Sequence, residues 1–214
     1  MMTTLDGRRA RGDASRRAIL ERATQLASVD GLDGVTIGAL ATATGRGKSS
    51  IATLFGDKEH LQLATIEAAA DVYRRTVIDP ARTLPRGVHR VATLLRAALE
   101  YSRSRVFAGG CFFTAVAAEL DAKTGAAADA VRTWMRTWNG YVESQLRFAV
   151  DARELAPGTD TELLAFELLA LVETSNARSV LYRDERPYAL AASAIRERLI
   201  AAGADPAALA PLTA

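Results

Sequence analysis

The run Gly45-Arg46-Gly47-Lys48-Ser49-Ser50, followed by Thr53, concentrates small, hydroxylic and cationic side chains in one short stretch. Arg46 and Lys48 supply charged donors, and the three hydroxyls can donate or accept at phosphate oxygens and base edges. Their small size would let a partner's backbone approach closely. Coiled at 3.6 residues per turn, the stretch from Lys48 to Phe55 puts Ile51, Leu54 and Phe55 opposite these polar groups. One face is built to be buried and the other to touch something polar.

The flanking residues supply the elements that would hold such a helix. From Ser15, apolar Ile19, Ala23, Leu26 and Ala27 form one stripe, and Asp30-Gly31 ends that helix. Thr36 is a good N-cap for a short second helix with Ile37, Leu40 and Ala41 inward. Gly45 to Gly47 break it, and Asp57 caps a fourth helix reaching about Thr76 with Leu61, Ala64 and Ala68 inward. Two short helices joined by a tight glycine turn and braced on both sides have the layout of a helix-turn-helix. The segmentation expected is a disordered arm over 1–14, a helix-turn-helix domain over 15–78, a larger helical domain over 79–203 and a tail over 204–214. Helices are expected at about 86–105, 109–120, 127–152, 160–183 and 187–202, making the chain all-α with about nine helices.

Residues 15–70 resemble the N-terminal domain of the TetR family of bacterial regulators. The resemblance rests on Thr36-Ile37-Gly38-Ala39-Leu40-Ala41, on Gly45-Arg46-Gly47-Lys48-Ser49-Ser50-Ile51, and on Phe55-Gly56-Asp57-Lys58-Glu59-His60-Leu61. It implies contacts to double-stranded operator DNA from Thr36, Lys48, Ser49, Ser50, Thr53 and Lys58, with Arg46 and Gly47 beside them. It also implies a dimer formed by the last two helices, here about 160–202. The chain departs from the family at Ala52, where an aromatic is usual, at Thr53, often His, and at Gly47, which replaces a hydroxylic helix cap.

Beyond residue 79 the notable side chains are aromatic. Trp134, Trp138, Tyr141 and Phe148 fall near one helix face, and Phe107, Phe112, Phe113 and Phe166 lie on neighbouring helices. These residues either fill a hydrophobic core or line a small-molecule pocket between helices, with Glu119, Asn139, Glu173 and Asn176 as polar groups within it. The ligand set expected is Phe107, Phe112, Phe113, Trp134, Trp138, Tyr141, Phe166 and Glu173. Cys111 is either an inert buried thiol or a redox sensor.

Other chemistry is poorly supplied. A phosphate-binding P-loop would need Gly where Thr42 stands, and a preceding strand. His60, His89 and Cys111 are too few and too scattered for a structural zinc cluster, a helical di-iron centre or a nucleophilic triad. No enzyme activity, metal or cofactor is therefore expected. Nine Lys/Arg against six Asp/Glu fall within residues 1–58, while the remainder is nearly neutral, which suits a polyanion met at one end. One cysteine, no signal-like apolar segment and no membrane-length apolar run lead to the expectation of a cytoplasmic protein without a membrane partner. The function expected is a homodimeric transcription regulator, most simply a repressor, answering to an unknown small-molecule effector. The alternative is a helical small-molecule-binding protein or enzyme that uses the aromatic pocket.

Overall fold

A computed structural model describes residues 4–213, with side chains described for residue 10 and residues 12–213. The fold is all-α. In chain order the helices are α1 (Thr4–Gly34), α2 (Ile37–Thr44), α3 (Lys48–Phe55), α4 (Lys58–Tyr73), α5 (Asp79–Arg82), α6 (Val88–Arg103), α7 (Phe112–Leu120), α8 (Ala126–Asp151), α9 (Thr161–Tyr182) and α10 (Arg186–Ala201). Among the described residues the only extended pairing is a single bridge between Phe107 and Gly110. No helix among them is long and apolar enough to cross a membrane.

Apolar periodicity and punctuation account for most boundaries. In α1 the stripe Ile19, Ala23 and Ala27 is fully buried, and the helical path breaks at Gly31 (φ 73°, ψ 173°). The expected disordered arm is different here: from Thr4 onward the backbone is helical and continuous with α1, while residues 1–3 lie outside the described part. Arg and Ala are good helix formers, and extending an existing helix needs no new nucleus. Past α4, residues Arg74–Ile78 form a π-helical turn, with the Asp79 amide donating to the Arg74 carbonyl. Pro80 has no amide to give, so the ladder widens just before it instead of continuing in α register.

The expected tail is also structured. Pro206–Leu212 form a 3-10 helix opened by the Asp205 side chain, which accepts from the Ala207 amide. Leu209 and Leu212 are buried. Three residues apart, they eclipse on one side of a 3-10 helix, and that side packs on α6 and α10. Composition marked this segment as Ala/Pro-rich without registering the spacing of its two leucines.

Two compact units result. The first joins the chain up to Asp71 with Phe107–Arg132, and the second joins Val72–Val106 with Thr133–Ala214. The first therefore holds α1 to α3, most of α4, α7 and the start of α8. This division differs from the boundary expected near 79–86, because α7 packs on α1, a long-range pairing that periodicity does not carry.

Candidate nucleic-acid interface

The first unit builds its polar ridge on a small apolar core. Leu32, Val35, Leu40, Ile51 and Leu61 are fully buried, and Phe55 is 5% exposed. Thr36 takes an extended conformation (φ −118°, ψ 157°), and its Oγ1 accepts from the Ala39 amide at 3.0 Å, starting α2. Gly45 ends α2 in the left-handed region (φ 65°, ψ 19°), which only glycine enters without a Cβ penalty. Gly47 opens α3 in an extended conformation without a side-chain cap, its carbonyl accepting from Ser50 N at 3.0 Å and Ile51 N at 3.3 Å.

This geometry leaves Lys48, Ser49, Ser50 and Thr53 exposed on one side of α3, with Ile51 and Phe55 buried on the other. The Lys48 stem lies across the start of α2: a Cβ on Gly38 would stand 3.9 Å from Lys48 Cε. Thr53 Oγ1 donates to the Ser49 carbonyl at 2.8 Å and keeps its acceptor positions. Ala52, where the family's aromatic is usual, is half-buried. Arg46 is exposed and donates to Ser15 Oγ at 3.3 Å. Lys58 stands somewhat apart, its Nζ 3.2 Å from Asp33 Oδ1.

Two supports escaped sequence reasoning. Arg16 on α1 lies over the Phe55 ring at 4.7 Å and donates to the Leu54 carbonyl at 3.4 Å, tying the end of α3 to α1. Nothing local marks Arg16 among the other arginines of α1. The second is a charge network at the turn between α1 and α2. Glu119 of α7 accepts from Leu32 N at 2.6 Å and Asp33 N at 3.1 Å. Lys123 bridges Glu119 at 3.2 Å and Asp33 at 2.7 Å. For Glu119 the sequence left open a pocket group or a surface or capping role; its carboxylate caps the amides of this turn.

Hydrogen bonds from Lys123, then Lys58, hold the Asp33 carboxyl below its ordinary range, and Asp33, then Glu119, raise Lys123. Asp33 thus contributes stability above its unfolded pKa of about 3.9, lost as acid protonates it in the fold. Lys123 contributes below about 10.4, lost as base removes its proton. The network is therefore expected to stay intact from about pH 5 to about 9. A thermal-melting series carried from that window down into acid should show wild type losing stability below about pH 4 by an increment that Asp33→Asn lacks.

The residues expected either to fill a core or to line a ligand pocket fall in both units. Phe107, Phe112 and Phe113 belong to the first unit and are buried, Phe112 meeting Phe107 at a tilt at 5.9 Å and Phe113 edge-on at 5.2 Å. Cys111 precedes α7 as its N-cap residue, half-buried. In the second unit Trp134 and Trp138 meet the Tyr73 ring edge-on at 5.0 and 5.2 Å, with Tyr101 on the same ring at 5.0 Å. Tyr141 follows Trp138 at 6.5 Å, and its buried hydroxyl has no hydrogen-bond partner. Phe166 is 71% exposed. Together with Glu173, Met135 and Asn139 it lines a separate groove of about 500 Å³ between α8 and α9. Burial pushes the Glu173 carboxyl up. Asn176 is buried on α9. Among the described residues no group of His, Cys, Asp or Glu could hold a metal ion.

A short helix with an exposed polar ridge, held by a glycine turn on a three-helix support within an all-α chain, defines a helix-turn-helix regulator. Residues 87–195 match the family model described as the tetracycline repressor-like C-terminal domain, and the chain belongs to the TetR family of transcription regulators. No curated protein matches it in sequence. Its fold is similar to that of a TetR regulator from Chloroflexus aurantiacus, with TM-score 0.79, 23% identity, and 87% of this chain and 94% of that one covered. A TetR-family regulator from Cytophaga hutchinsonii gives 0.76 at 19% identity, covering 90% and 96%. AibR, solved with isovaleryl coenzyme A and operator DNA, gives 0.62 at 20% identity, covering 74% and 83%.

Proposed function

We propose that this chain is a homodimeric repressor that grips a pseudo-palindromic operator through α3 and lets go when a small molecule binds its second unit. The observation carrying the DNA reading is the exposed ridge Lys48, Ser49, Ser50 and Thr53, set on a helix whose first amides have no side-chain cap. Helix N-terminal amides favour phosphate, and the hydroxyls and Lys48 can meet phosphates or base edges. Thr36, Arg46 and Gly47, near the ridge in the chain, and Lys58, at the start of α4, are read as further contacts. Lys58 is held by Asp33 in an exposed pair, 51% and 64% accessible. Exposed pairs are weak, so a phosphate can replace the carboxylate.

Dimerisation through 160–202 is supported by apolar exposure: Leu163, Phe166, Leu181, Tyr182 and Leu190 are 50–73% accessible on α9 and α10. So many large exposed side chains on two adjoining helices suit a self-association surface. Two-fold pairing would space the recognition helices about 34–36 Å apart, or a small multiple of that. An effector site in the second unit is supported by the aromatic group around Tyr73 and by the unsatisfied Tyr141 hydroxyl, since buried polar groups ordinarily have partners. AibR, of the same fold, binds an acyl thioester of coenzyme A. The effector would act by favouring a dimer geometry that misplaces the α3 helices, a coupling of about 1–3 kcal/mol.

Lys48→Ala tests the grip. It is expected to weaken binding to specific and nonspecific duplex together and to reduce the slope of log K against log salt by about one. Fluorescence anisotropy at several salt concentrations checks this. An unchanged slope would remove Lys48 from the interface.

A further inference from the structure

We propose that Glu119 is a positioning residue for DNA binding: its carboxylate, reaching from α7, fixes the turn between α1 and α2 and thereby the register from which the helix-turn-helix starts. The inference rests on the DNA reading given above, but its contacts stand apart from it. Both carboxylate oxygens are used, Oε2 on the Leu32 amide at 2.6 Å and Oε1 on the Asp33 amide at 3.1 Å. These amides open the helical turn that restarts after the break at Gly31, and the first amides of a helical segment have no intrahelical acceptor. A Cβ at Gly31 would run into this carboxylate, and the position is left-handed as well, so the glycine makes room for the approach.

The consequences run along four residues. The Leu32 carbonyl accepts from Val35 N at 3.1 Å, and both Leu32 and Val35 are fully buried. Thr36 follows at once as the cap of α2. Fixing Leu32 and Asp33 therefore fixes the entry of α2, and through the short turn at Gly45–Gly47 the direction of α3. Lys123 clips Glu119 to Asp33 from outside, and Lys58 adds a second cation on Asp33. The two amide bonds to the Glu119 carboxylate are charge-assisted, roughly twice as strong as neutral ones, and with that side chain only 19% exposed water replaces them poorly, whereas the lysine pairs on the exposed Asp33 add little.

The test compares Glu119→Ala and Glu119→Gln with wild type in the full chain, by anisotropy on duplex from the gene's own upstream region and by amide hydrogen exchange. Glu119→Ala loses both amide bonds, so it should exchange faster at Leu32 and Asp33 and bind the duplex at least about tenfold more weakly, the factor that one charge-assisted bond alone carries. Glu119→Gln keeps one acceptor and should fall between, a graded rescue that a mere packing role would not produce. If Glu119→Ala fails to fold, the near-isosteric Gln variant decides alone: faster exchange with weaker binding supports the proposal. Wild-type exchange at Leu32 and Asp33, or wild-type affinity in the folded variant, overturns it. Should wild type fail to prefer its own upstream DNA over a scrambled duplex, the DNA reading falls, whereas amide exchange still decides whether the clamp exists.

Discussion

Phe55→Ala is expected to reduce DNA binding to the level of a nonspecific polycation and to unfold the helix-turn-helix first. The ring is 5% exposed and capped by the Arg16 guanidinium at 4.7 Å. Removing a buried Phe costs about 3–5 kcal/mol, and loss of the cation–π contact adds about 0.5–2. Against a total stability of about 5–15 kcal/mol, that is most of what a small helical unit has. Phe55→Leu keeps an apolar filler and should retain a large share of stability and binding. Denaturant titration alongside anisotropy checks both variants. A Phe55→Ala protein that melts and binds like wild type would mean that α3 is not seated on α1 as described.

The second large effect belongs to a glycine far along the chain. Gly109 comes so close to α1 that a Cβ would overlap the Ser28 carbonyl, while its amide donates to Ser28 Oγ at 3.1 Å. Gly109→Ala must push the loop off α1, an overpacking cost of about 1–3 kcal/mol, and loses a hydrogen bond of about 1 kcal/mol. A fall in melting temperature of several degrees is expected. Gly140→Ala is the opposite case: the glycine lies within α8 with nothing within 4 Å of a new Cβ, so the change should stabilise by about 0.5–1 kcal/mol. Equal effects at the two positions would contradict the close approach at Gly109.

Local features were legible in the sequence. The Thr36 cap, the Gly45 turn, the opening of α3 at Lys48 and the Asp57 side chain accepting from His60 N all lie where residue chemistry places them. Each depends on neighbours within four residues. Non-local features were not legible. Nothing near Glu119 says that its carboxylate meets amides 87 residues earlier, and an acidic residue on an apolar helix reads equally well as a pocket group. How the aromatic residues are shared out was not legible either. Phe112 and Trp138 share a composition signal, yet each packs in its own unit. The helical start at Thr4 and the docked turn around Leu209 were hidden because composition alone marked both ends as irregular.

Whether the ridge from Lys48 to Thr53 reads DNA is decided by titrating this chain against a duplex from its own gene's upstream region and against a scrambled duplex of equal length, at physiological salt. Saturable binding is expected, with Kd of about 10⁻⁸ M or tighter and at least about a thousandfold tighter than for the scrambled duplex. Equal affinity for the two, falling together as salt rises, would contradict it.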